Sequence, residues 1–199
     1  MCQIYFENKN YAKALPLLEA YVNGSEKVTK EILYELSYSY YKENSYSKAI
    51  DGFKQLSNEK DSMGQNSMYI LGDLYLKTNQ KENARNAFQY SAYNSSNPKQ
   101  QRISRFTYGK LNYELGYQNI ALKEMRSYLE DYPNSENDNE AKEIMVNLLT
   151  KTNNFKEALA MVKNLQPMPA SLQKVYPKIL YGRAIEEIND QHLSEADVL

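Results

Sequence analysis

Six alanines, Ala14, Ala49, Ala84, Ala121, Ala158 and Ala196, recur at spacings of 35, 35, 37, 37 and 38 residues. No other feature limits the fold as strongly, because a unit of that length buries too little apolar surface alone and must hide it against its neighbours. Other columns keep the register. Four residues after the anchors stand Leu18, Phe53, Phe88, Met125 and Val162, and nine before them Tyr5, Tyr40, Tyr75, Asn112, Leu149 and Glu187. Twelve before, the residue is mostly small: Cys2, Ser37, Gly72, Gly109, Val146 and Ala184. The pattern is sharp to Ala84 and decays afterwards.

Within a unit the apolar residues return at intervals of three and four, the helical period, and strand-like alternation is nowhere sustained. Each unit therefore reads as two helices, and the chain as an all-α array of about five repeats in a single domain. The units fall at 1–26, 30–64, 65–98, 99–135, 136–170 and an incomplete 171–199. The first full unit predicts helices over 31–43 and 46–58, turning at Glu43-Asn44-Ser45. Glycine inside a helix costs roughly 1 kcal/mol relative to alanine, so Gly72 and Gly109 imply close approach of a second helix. Ala49 opposite Ser37, and Ala84 opposite Gly72, supply small pairs for such crossings, flanked by Tyr40, Phe53, Tyr75 and Phe88. Prolines at Ser96-Asn97-Pro98, Tyr132-Pro133-Asn134-Ser135 and Pro167-Met168-Pro169 end the preceding helices.

Tyr40 and Ala49-x-x-x-Phe53, with Leu71-Gly72-x-x-Tyr75, Ala84-x-x-x-Phe88 and Pro133, resemble the tetratricopeptide repeat. The likeness is strongest from Leu33 to Phe88 and weakest after residue 139; Asn112, Arg183 and Glu187 mark departures from the columns. It implies a right-handed superhelical solenoid of helix hairpins whose first helices line a concave surface. A shorter segment, Tyr128-Leu129-Glu130-Asp131-Tyr132-Pro133-Asn134-Ser135, resembles the Tyr-Pro-x-Ser junction frequent in bacterial cell-envelope members, including the Tol-Pal coordinator and outer-membrane assembly lipoprotein groups. It implies a periplasmic or envelope-associated home ahead of a cytoplasmic one.

Composition excludes several functions. With 24 Lys+Arg against 25 Asp+Glu, the net charge of −1 leaves no excess to neutralise phosphates, so a dedicated nucleic-acid binder is disfavoured. One Cys and one His cannot make a disulfide or a four-ligand zinc site within the chain. None of the 7 glycines falls in a phosphate-binding pattern, and no cofactor is expected. No apolar run reaches the ~20 residues of a membrane span, and no export signal is visible at the start. Cys2 in a small-residue column reads as a packing thiol, and His192 as a solvated loop residue. The carboxylates Glu31/Glu35 and Glu186/Glu187 read as a solvated helix face, so no catalytic residue is expected.

Fifteen residues before the anchors stand Tyr34, Tyr69, Phe106, Glu143 and Tyr181. Eleven before are Tyr38, Asp73, Lys110, Asn147 and Ile185, and eight before Tyr41, Leu76, Tyr113, Thr150 and Ile188. On the implied fold these columns face the concave surface. Tyr34, Tyr38, Tyr41, Tyr69, Asp73, Phe106, Lys110, Tyr113 and Tyr181 are therefore the candidate peptide-binding residues, tyrosine offering large contact area and a hydroxyl. The alternative, that the rings pack between hairpins, stays open. Ala49, Phe53, Gly72, Tyr75, Ala84, Phe88, Gly109, Ala121 and Ala158 are assigned to repeat packing. The Lys and Asn positions with which some members clamp a chaperone tail are filled here by Tyr34, Tyr38, Ile70 and Asn66, so that ligand is disfavoured.

Neither end carries the polar cap a solenoid needs, which predicts either a piece of a longer array or self-association through the ends. The reading is a non-catalytic scaffold for a protein or peptide partner. Its alternative is a regulatory or self-association module of a larger protein.

Overall fold

The computed structural model describes residues 2–165 and 167–190, and every regular element among them is an α-helix. His192 and Ala196 lie outside the described residues. The elements are α1 (Cys2–Glu7), α2 (Tyr11–Gly24), α3 (Lys30–Lys42), α4 (Tyr46–Gln55), α5 (Ser62–Lys77) and α6 (Lys81–Ala92), followed by α7 (Pro98–Glu114), α8 (Gln118–Asp131), α9 (Asp138–Lys151), α10 (Phe155–Lys163), α11 (Ala170–Gln173) and α12 (Tyr176–Asn189). The chain divides into two compact units, Met1–Arg105 and Phe106–Leu199. In the first, α1 packs on α2, α3 on α4 and α5 on α6, while α2 meets α3 and α4 meets α5. In the second, α8 and α10 flank α9, and α12 packs on α10.

One turn chemistry closes every hairpin. Lys9, Asn44, Asn79, Gly116 and Asn153 have φ of 58°, 59°, 58°, 87° and 56°, and each stands five residues before an anchor alanine. The next residue's N–H reaches back five positions: Asn10 donates to Tyr5 at 2.8 Å, Ser45 to Tyr40 at 2.8 Å, Gln80 to Tyr75 at 2.7 Å, Tyr117 to Asn112 at 2.8 Å and Asn154 to Leu149 at 2.8 Å. The left-handed residue's own N–H bonds three positions back, as Asn44 does to Tyr41 at 3.2 Å. This pair of bonds satisfies carbonyls that a helix end leaves open, and asparagine and glycine are the residues that enter the left-handed region at least cost.

Helix α3 starts and ends one residue before the expected bounds. Helix α4 is a correction: it ends at Gln55, three residues early, because Leu56 turns inward to full burial and Ser57 Oγ donates to the Lys54 carbonyl at 2.7 Å.

The anchors Ala14, Ala49, Ala84, Ala121 and Ala158 are all buried, as are Phe53, Tyr75 and Phe88. The closest approaches differ in detail from the small pairs read in the sequence. Ser37 lies against Gly52, where an added Cβ would meet its Oγ at 2.0 Å, and Gly72 lies beneath the ring of Phe88. The departures from the repeat satisfy themselves. Buried Asn112 donates from Nδ2 to the Tyr108 carbonyl at 2.7 Å, and Arg183 pairs with Glu187, its i,i+4 neighbour on α12. Glu186 accepts from Arg183 at 3.0 Å and from the Phe155 N–H at 3.3 Å. The expected solvated face at Glu186/Glu187 is thus corrected: Glu187 is 2% exposed, held by a cation that replaces an apolar column residue. Among the described residues, no helix is long and apolar enough to cross a membrane.

Candidate functional site

In the first unit, the faces of α1, α3 and α5 border a groove of about 530 Å³. Its walls include the rings of Phe6, Tyr11, Tyr34, Tyr38, Tyr41 and Tyr69, with Lys9, Lys42, Asn66 and Gln100 among them. Tyr38 is the hub. Its ring centroid lies 5.8 Å from Phe6, 5.6 Å from Tyr11, 5.9 Å from Tyr34 and 5.9 Å from Tyr41. Two rings are fixed from behind: Tyr34 stands edge-on to Phe53 at 5.7 Å and Tyr69 edge-on to Phe88 at 6.0 Å. Rings braced in this way offer contact area at little further entropic cost, since a tyrosine has only two side-chain torsions to lose.

Polar groups pin the same wall. Asn66 donates from Nδ2 to the Tyr34 hydroxyl, and Gln100 donates to Asn66 Oδ1 at 2.5 Å, a chain from α3 through α5 to α7. Tyr41 donates to Asp73 at 2.8 Å, and Lys77 Nζ donates to the same carboxylate at 2.6 Å. Burial pushes the phenols of Tyr34 and Tyr41 up from their ordinary value of 10.0, and for Tyr41 the hydrogen bond to Asp73 pushes the same way. Both are neutral at physiological pH. Lys42 Nζ rests over two rings, 5.1 Å from the Tyr38 centroid and 5.0 Å from Tyr41.

The candidate residues of the second unit are arranged differently. Phe106 is 6% exposed and packs on buried Tyr128 at 5.5 Å, so it is a core ring and its assignment to a groove wall is corrected. Lys110 pairs with Glu140 at 2.6 Å. Tyr113 lies under Lys151, whose Nζ is 5.2 Å from the ring. Tyr181 is 72% exposed on α12.

Of the column residues, Tyr34, Tyr38, Tyr41 and Tyr69 line the groove, whereas Asp73, expected on the same surface, is not among the lining residues and accepts from Tyr41 and Lys77. The candidate set omits Phe6, although it stands eight residues before Ala14, in the Tyr41 column. Tyr11, Asn66 and Gln100 belong to no column used, and Asn66 enters the sequence reading only as a mismatch to the clamp. A larger depression of about 760 Å³ lies by the end of α6 and the loop after it, with Asn86, Gln89, Asn94, Ser95 and Ser96 in its walls. Tyr90, Tyr93, Met68 and Lys60 complete its walls; two rings stand there against six in the smaller groove, where Tyr38 alone contacts four others, which is why the smaller groove is the stronger candidate. The Tyr-Pro-x-Ser junction has a local role too: the hydroxyls of Tyr128 and Ser135 bond at 2.9 Å, and Tyr132 packs 5.4 Å from Tyr128.

A tetratricopeptide repeat family model matches residues 66–90, most of α5 and α6. Among solved structures, MamA of AMB-1 is similar at a TM-score of 0.64 and 19% identity, over 86% of this chain and 91% of that one. MamA of MSR-1 follows at a TM-score of 0.57 and 19% identity, over 81% and 92%. YrrB, described as a TPR protein with an unusual peptide-binding site, matches at a TM-score of 0.63 and 17% identity, over 92% of this chain and 88% of that one. No curated protein sequence matches the chain. Likeness at this identity shows the fold, the helix-hairpin repeat of the tetratricopeptide type.

Proposed function

We propose that the chain is a non-catalytic scaffold that binds an extended segment of a partner protein in the aromatic groove of its first unit. The observation that carries this reading is the ring array around Tyr38, braced by Phe53 and Phe88 and open on its outer side. The fold-level likeness to YrrB, described as having a peptide-binding site, supports it. The Tyr132–Ser135 likeness further suggests a bacterial envelope complex, which fractionation of the source cells tests: recovery in the cytosol refutes it.

For the groove, a displayed random dodecapeptide library is panned on the full chain, and the enriched peptides are assayed against a Tyr38→Ser, Tyr69→Ser variant whose helicity matches the parent. Loss of two rings from the centre of a contact should weaken binding by about tenfold or more. Equal binding to both proteins refutes the groove.

A second reading, self-association, draws on Tyr181, Ile185 and Ile188, exposed one above the other on α12. It predicts a concentration-dependent dimer in sedimentation that Ile185→Asp abolishes, and a monomer at all concentrations refutes it.

A further inference from the structure

Five lysines of the first unit can be compared directly. Lys30 is bound to Glu59 and Asp61, Lys48 to Glu19 and Lys77 to Asp73. Lys42 and Lys9 line the groove, and among the described residues neither takes part in an ion pair of the kind that holds Lys30, Lys48 and Lys77. Lys42 is held by two tyrosine faces, and Lys9 projects from the left-handed residue that closes the α1 turn. An ammonium has three donors. Ring faces attract the cation without using those donors as strong hydrogen bonds, so its remaining side is suited to an anion.

Position at a helix end explains Lys42 in part, because a cation in the last turn complements the helix dipole. That account covers Lys77 and Lys151 equally and gives no reason for Lys9 beside the same cavity. The acidic groups do not balance the pair. Asp73 is occupied by Lys77 and Tyr41, which leaves Glu7 as the carboxylate on the groove wall.

On the reading that the groove takes an extended protein segment, we propose that this segment carries an acidic residue whose carboxylate lies between the ammonium groups of Lys42 and Lys9, with an apolar neighbour on the Tyr38 ring. Carboxylate and ammonium form charge-assisted hydrogen bonds, and the adjoining rings lower the local dielectric that screens them. The groove selects by charge at its rim and by shape at its floor.

The probe is a random dodecapeptide library panned in parallel on the full chain, on Lys42→Glu, Lys9→Glu and on Tyr38→Ser. Aspartate and glutamate should be enriched on the parent, and lysine and arginine on the charge-reversed protein. In the best parent-selected peptide, Asp/Glu→Gln should weaken binding about fivefold to tenfold, less at high salt, and Lys42→Arg should retain most of the affinity. Peptides that require Tyr38 but show no acidic bias, or the same bias on the charge-reversed protein, overturn this proposal and leave the groove reading standing. Peptides indifferent to Tyr38→Ser, or no enrichment on the parent, overturn both.

Discussion

Gly72 and Gly109 share a column of the repeat, yet alanine at each should move stability in opposite directions. At either site the substitution removes a mid-helix glycine and gains roughly 1 kcal/mol of helix propensity. At Gly72 the new methyl would lie 2.7 Å from Cε2 and Cζ of Phe88 and 2.8 Å from its Cδ2. One whole edge of a ring is met, and that ring is buried and backed by Tyr69. Overpacking of this kind costs about 1–3 kcal/mol, so Gly72→Ala should lose about 1 kcal/mol net. At Gly109 the nearest atom is the terminal Cε of Met125 at 2.9 Å, with Glu124 Cβ at 3.4 Å. An unbranched thioether swings aside cheaply, so Gly109→Ala should range from neutral to a gain of about 1 kcal/mol. Urea unfolding followed by far-UV circular dichroism at constant slope measures both, a change of 1 kcal/mol corresponding to roughly 2–4 °C in Tm. Phe88→Leu should shrink the Gly72→Ala penalty. A Gly72→Ala midpoint at or above the parent, or an equal fall in both variants, refutes the reasoning.

Three further outcomes follow from the same contacts. Asn44→Gly should leave stability unchanged or slightly raised, whereas Asn44→Val should cost about 1–2 kcal/mol, because the site is held at a φ of 59°; thermal melts of the pair check this. Ser135→Ala strands the hydroxyl of fully buried Tyr128 and should cost about 1–2 kcal/mol, most of it recovered when Tyr128→Phe is added, as a double-mutant cycle in urea reads directly. Tyr34 and Tyr41 have folded-state values raised above the 10.0 of a free phenol, so their contribution is fully present below that value and is lost as pH rises through the folded-state value. The parent should lose more stability than Tyr34→Phe between about pH 8 and about pH 11, and parallel losses in chemical denaturation would contradict this.

The fold was legible because its two strongest signals are local. Buried alanines fix where helices cross, and the helical period fixes which face does so. A third signal was present and unused. Asn44, Asn79, Gly116 and Asn153 share the position five before the anchor, and those residue types at that offset specify the left-handed close of a helix. The end of α4 was less legible. Polar Gln55 and Ser57 continue helical composition, and only the inward turn of Leu56 stops the helix. The pairing of Arg183 with Glu187 was hidden for a related reason. Each looked like damage to an apolar column when read alone, while their spacing of four is what makes them one buried unit.

The groove shows why a column identifies a face more readily than it identifies exposure. Tyr34, Tyr69 and Phe106 share a column, and each meets another ring: Phe53, Phe88 and Tyr128. Binding and packing are therefore not alternatives for Tyr34 and Tyr69, since bracing from behind is what presents their outer faces in fixed geometry. Phe106 falls on the packing side because it has no hydroxyl to carry to the surface and is itself buried. The column eleven before the anchor separates the cases. Tyr38 places a fourfold ring contact over the groove, whereas Lys110 occupies that position in the second unit and forms an ion pair with Glu140. Asp73 stands in the same column one hairpin after Tyr38, where it accepts from Tyr41 and Lys77 and leaves Tyr69 on the groove wall, so one column supplies a ring, a buttress and a surface ion pair in successive hairpins, and its residue identity has to be read together with the neighbours it meets.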